Sequence, residues 1–109
     1  MAMATALPDD RIARNEITAR QVNEAIEDGR VTREGTIGFV CECGQLGCNA
    51  VIEVTLREYE QVRADARQFL VVAGHEAGFE STVSSADGYA IVVKHGEAGR
   101  LAEETDPRA

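Results

Sequence analysis

The first periodic stretch of the chain runs from about Asp9 to Asp28, opened by Pro8 and closed by Gly29. At about 100° per residue, Ile12, Ala19, Val22 and Ile26 fall within a stripe roughly 80° wide. Asn15 and Asn23 lie inside that stripe or at its edge, and Ile17 points elsewhere. The pattern predicts a helix with a narrow apolar arc. Such a helix either packs edge-on against a sheet or presents a seam to a second copy or a partner, with polar seam residues fixing register.

The period then shortens. Phe39 and Val40 lead as a strand into FVCECGQLGCNA, and Ala50 to Val54 reads as the returning strand, which makes a hairpin. Thr55 and Glu58 follow at the spacing of a capping box, with Thr55 as N-cap of a second helix. Leu56, Tyr59, Val62 and Ala66 line one face of it, while Arg57, Glu60, Arg63 and Arg67 are expected to face water. Strands are predicted at Phe69–Ala73, Phe79–Ser84 and Tyr89–Lys94, the last two joined at Asp87-Gly88, a strong hairpin turn. Tyr89, Ile91 and Val93 alternate with Ala90, Val92 and Lys94, so that strand should be covered on both faces for most of its length. Gly96 to Glu104 reads as a short helix, and Asp106-Pro107 ends the order. The expectation is one α+β domain over residues 9–104, with loose ends at 1–8 and 105–109.

All three cysteines of the chain, Cys41, Cys43 and Cys48, stand within eight residues at the predicted hairpin tip. An odd number leaves a thiol over in any intramolecular pairing, and Cys41 and Cys43 could bridge only through a strained small ring. MAMATALPDD lacks the basic start and long apolar run of a signal peptide. No stretch approaches the ~18 consecutive apolar residues of a membrane helix. A reducing cytoplasm is therefore the expected setting, where clustered cysteines bind metal or do redox work. Gly44 stands where a metal knuckle wants a positive φ, and Gly47 loosens the return. The single residue between Cys41 and Cys43, Glu42, departs from the common two-residue spacing. A histidine would complete a Cys₃His set, a usual closed zinc arrangement. Of the two available, His75 follows Gly74 with Gly78 beyond, in a turn that could approach the hairpin tip. His95 closes the YAIVVKHG run in a similar strand-end position. His75 is favoured, with His95, Glu42, Glu76 or a water as the alternatives. The fold is thus expected to be α+β, with an N-terminal helix, a zinc-bearing β-hairpin, a second helix and a small, mainly antiparallel sheet.

Composition narrows the function. The chain has 109 residues, aromatics make up 5% and tryptophan is absent, so the core must be aliphatic. In small metal domains a structural zinc contributes an apparent ~10–16 kcal/mol, more than a domain's usual net stability. Eleven basic residues against 19 acidic ones give a net charge of −8. Arg11, Arg14, Arg20, Arg30 and Arg33 are diluted by neighbouring acids, so no basic face for nucleic acid is expected. The glycines form no phosphate-binding motif, and Ser81, Ser84 and Ser85 lack a nucleophile-elbow context. A zinc deaminase needs a C-x-x-C pair and a flanking glutamate, where this chain has C-E-C. A Cys48–His75 nucleophile pair is conceivable, although three clustered thiols suit one nucleophile poorly.

The succession R-N-E at Arg14–Glu16, V-N-E-A-I-E at Val22–Glu27, F-V-C-E-C-G at Phe39–Gly44, E-Y-E-x-V-R at Glu58–Arg63 and G-H-E at Gly74–Glu76 resembles a group of short uncharacterised proteins from actinobacteria. The resemblance implies that Cys41, Cys43, Cys48 and His75 form one set, and it implies no activity. Three functions follow as expectations: a non-catalytic zinc-stabilised module binding a protein partner or a second copy through the N-terminal helix, a thiol–zinc redox switch, or a zinc enzyme with an open Cys₃–water site.

Overall fold

The computed structural model describes residues 9–29, 35–45, 47–76, 80–86 and 88–108. The architecture is α+β, as the pattern predicts. In chain order it runs α1 (Asp9–Asp28), β1 (Thr36–Val40), β2 (Val51–Thr55), α2 (Leu56–Arg63), β3 (Gln68–Val72), β4 (Glu80–Ala86), β5 (Tyr89–Lys94) and α3 (Gly96–Glu104). The expected loose segment 1–8, Gly78 and Asp87 lie outside the described residues.

Strands β1 and β2 form an antiparallel pair in which Phe39 lies opposite Ile52 and Ile37 opposite Val54. Those four side chains are buried while their neighbours are not, the period-2 alternation of a one-sided sheet. The other sheet is antiparallel with order β3-β5-β4. Ala90, Val92 and Lys94 of its central strand are buried and Tyr89, Ile91 and Val93 half-buried, matching the expected cover on both faces. Phe39 stacks on Tyr59 of α2 with ring centroids 4.2 Å apart. The capping box at the head of α2 is formed: Thr55 Oγ1 accepts from the Glu58 N–H at 3.1 Å, and Glu58 accepts from the Thr55 N–H at 2.7 Å.

The structure differs from the sequence reading at α1. The buried face of that helix carries Ile12, Ala13, Glu16, Ile17, Arg20 and Asn23, whereas Val22 is 45% exposed. Ile17, read as pointing elsewhere, is core. Of the expected stripe, Ile12 is buried and Ile26 packs against the core, but the buried face extends past it to Ile17 because three of the inward positions are polar. Each has partners waiting. Glu16 pairs with Lys94, which also pairs with Glu80. Arg20 donates to the Ala66 carbonyl at 2.8 Å and to the Ala102 carbonyl at 2.9 Å, satisfying a last-turn carbonyl of α3 that has no partner within its helix. Asn23 reads the Val40 backbone in both directions, accepting from its N–H at 2.8 Å and donating to its carbonyl at 2.9 Å.

Arg63 is a second correction. It was expected to face water, but its side chain is buried in ion pairs with Glu24 and Asp106. Beyond Glu104, where a loose tail was expected, Asp106 holds Arg63, and Arg108 pairs with Glu24, Glu27 and Glu60. No helix among the described residues is long and apolar enough to cross a membrane.

Candidate metal centre

The cysteine loop continues the β1–β2 hairpin by one rung: the Cys41 N–H donates to the Ala50 carbonyl at 3.0 Å. The chain then turns back through Gly44 at φ 74° and Gly47 at φ 84°, the left-handed region that glycine adopts without strain. Space also decides the first of these. A Cβ at Gly44 would stand 2.5 Å from the Ile12 carbonyl oxygen and 2.8 Å from Glu16 Cγ, so α1 sits directly on the knuckle. Asn15 Nδ2 donates to the Gly44 carbonyl at 3.1 Å from the same side.

His75 arrives from the end of β3. Gly74 takes a φ of 94°, and the His75 N–H closes a turn onto the Val72 carbonyl at 2.9 Å. That turn brings its ring to the sulfurs. His75 Nδ1 lies 3.6 Å from Cys41 Sγ and 3.6 Å from Cys48 Sγ. The candidate ligand atoms of Cys41, Cys43, Cys48 and His75 all lie within 4.8 Å of one another, a group that could hold a metal ion. His95 is not in it. It stands exposed at the N-cap of α3, with Nε2 2.9 Å from Ser81 Oγ. Glu76 is outside the group as well. So is Glu42, whose carboxylate turns into the core and accepts from Asn23, Tyr59 and the Leu70 N–H.

Backbone N–H groups surround the sulfurs. Val72 donates to Cys41 Sγ at 3.2 Å and Gln45 to Cys43 Sγ at 3.4 Å. Such donors favour sulfur that carries negative charge. Burial works the other way in the metal-free protein, pushing the Cys41 thiol up to about 12 and raising Cys43 as well. Cys48 is less buried. There the hydrogen bonds from the Ala50 N–H and the neighbouring thiols outweigh the burial, and its pKa is lowered. A bound dication would reverse the balance at Cys41 and Cys43 and reinforce it at Cys48, because a coordinating thiol is deprotonated. The network of buried charge on α1 had no local signal of its own. Its clues were Lys94 ending an apolar strand, and Glu16, Arg20 and Asn23 sharing helical spacing with Ala13 and Ile17.

No protein-family model, curated protein or solved structure matches the chain.

Proposed function

We propose that Cys41, Cys43, Cys48 and His75 hold one zinc ion in a closed, structural site, and that the domain acts without catalysis as a cytoplasmic protein-interaction or regulatory module. One observation carries the metal reading. A tetrahedral zinc with Zn–S of ~2.3 Å and Zn–N of ~2.0–2.1 Å sets sulfur and nitrogen about 3.5 Å apart. His75 Nδ1 is 3.6 Å from two different sulfurs. A histidine serving one nucleophile would favour one sulfur; equal approach to two fits a shared ion. Four protein ligands fill four positions, so no coordination site is left for a substrate. An enzyme would need His75 to leave the ion and water to replace it.

Elemental analysis of protein purified without added metal tests this reading. One zinc per chain is expected. Iron with visible absorption, or no metal, overturns it. The interaction reading rests on the part of the α1 stripe that the core leaves uncovered, centred on Val22 with Ala19 and Ile26 half-buried beside it. A partner or second copy would cover that strip. Light scattering of the full chain and of Val22→Asp checks the homodimer form: a dimer that the substitution dissociates supports it, and a monomeric full chain removes it.

A specific observation favours the redox reading as second. A cleft of about 300 Å³ lies between α1 and the loop, lined by Asn15, Thr18 and Ala19 as well as the three cysteines. Cys48 is only half-buried. Peroxide reaching it would take two thiolates to a disulfide, with two protons and reduction of the peroxide to two waters, and the zinc would leave. Zinc release at low peroxide dose supports this reading, and release only under forcing oxidation excludes it.

A further inference from the structure

We infer that Glu42 is a positioning residue for the metal centre: its carboxylate fastens the cysteine loop to β3 and thereby sets the distance between the sulfurs and His75. This rests on reading the four residues as metal ligands. The ligands come from two separate pieces of chain, the loop after β1 and the turn after β3. Something must hold the two pieces in register before an ion arrives.

The one-residue spacing explains how Glu42 does it. In an extended chain successive side chains point to opposite sides, so Cys41 and Cys43 share one side and the residue between them takes the other. That residue is completely buried. Glu42 Oε1 accepts from the Leu70 N–H at 2.8 Å, and the Glu42 N–H donates to the Leu70 carbonyl at 2.7 Å. Both backbone groups of one β3 residue are thus held by one loop residue. Oε2 accepts from Asn23 Nδ2 at 2.7 Å and from the Tyr59 hydroxyl at 3.0 Å, which ties the same carboxylate to α1 and α2. Two residues along β3, the Val72 N–H donates to Cys41 Sγ and the Val72 carbonyl accepts from the His75 N–H. The path from carboxylate to imidazole therefore runs from Glu42 through Leu70 and Val72 of β3 to His75 in the turn beyond it. Every partner of the carboxylate is a donor, so an amide in its place sets an NH₂ against at least one of them.

A buried carboxylate could serve stability alone, so the test must read the ligand geometry. The full chain and its Glu42→Gln variant are titrated with zinc against a competing chelator, and with cobalt as a spectroscopic substitute. Loss of an outer-shell partner typically lowers metal affinity about 10–100-fold, and that loss is expected for Glu42→Gln. The cobalt spectrum should shift from a three-sulfur, one-nitrogen pattern toward one with oxygen in the fourth position. His75→Ala should then cost much less affinity in the Glu42→Gln background than in the unmodified chain. Undiminished zinc affinity in Glu42→Gln, or strictly additive effects of the two substitutions, overturns the inference. Should Glu42→Gln not fold, Tyr59→Phe removes a single donor to the carboxylate and is put through the same cycle with His75→Ala, where additivity again overturns it. An unmodified chain that binds no zinc sinks the metal reading itself; zinc binding that ignores residue 42 sinks only the role of Glu42.

Discussion

Two of the polar clusters among the described residues meet the cost of burial differently. In the cluster of Cys41, Cys43, Cys48 and His75, all the protein groups are potential donors of electron pairs, and any positive charge to balance their thiolates would come from a bound ion. In the cluster of Glu16, Glu80 and Lys94, the chain supplies both signs itself. Arg20 and Lys94 also lie 4.8 and 4.5 Å from the centre of the Phe69 ring, so an aromatic face helps hold the buried cations. The contrast teaches where dependence on conditions enters. The first cluster should respond to metal supply and the second to pH.

The largest effect should come from breaking the first cluster. Cys43→Ser, at a site 1% exposed, is expected to abolish zinc binding and cooperative thermal unfolding together, since a structural zinc contributes an apparent ~10–16 kcal/mol in small metal domains. Calorimetry with and without chelator checks it; a chelated protein with an unchanged melting transition would contradict the expectation. Next is Lys94→Met, which removes the cation that two buried carboxyl groups share. Removing one partner of a buried ion pair costs about 3–5 kcal/mol, and urea unfolding of the zinc-loaded variant should report a loss of that size with zinc still bound.

A subtler change isolates the pH dependence of the second cluster. Burial and the neighbouring Glu80 carboxyl push Glu16 from 4.5 up to about 9, against the pull of Lys94. Between those values the folded chain keeps a proton that the unfolded chain has lost. Proton uptake therefore favours folding there, and stability falls as pH rises through that window. Glu16→Gln has no such proton, so its stability relative to the unmodified chain should rise by up to about 1.4 kcal/mol per pH unit within the window. Denaturant curves at matched pH values read the difference, and parallel pH profiles would refute the shift. Smallest of all is His95→Ala, which touches neither cluster. It loses one exposed bond to Ser81, and both zinc content and melting temperature should stay essentially unchanged.

The same contrast explains what the sequence made legible. The metal cluster draws three of its four members from eight consecutive residues, and its fourth stands beside a glycine turn, so spacing and turn chemistry were enough to assemble it. The capping box at Thr55 and Glu58 and the span of α3 were local in the same way. The ionic cluster is spread over 78 positions between Glu16 and Lys94. Nothing local marks a helix that buries glutamate, arginine and asparagine, and the usual rule that charged residues face water caught only one edge of the buried face of α1 and gave the wrong side for Arg63. Glu42 was visible as an odd spacing, but its role depended on knowing that β3 lies alongside the loop.

The dependence of α1 on the far end of the chain has a consequence during synthesis. The helix is made before its partners: its buried polar residues wait for Lys94, Ala102 and Thr105, all of which follow His75 in the chain. His75, by contrast, precedes them, so the candidate ligand set is complete in the chain before β5 and α3 are added. A nascent chain can therefore close the hairpin and β3 around an ion while α1 still lacks those late partners. On the proposed reading, a bound ion would be a fixed point of the fold before α1 has met its late partners.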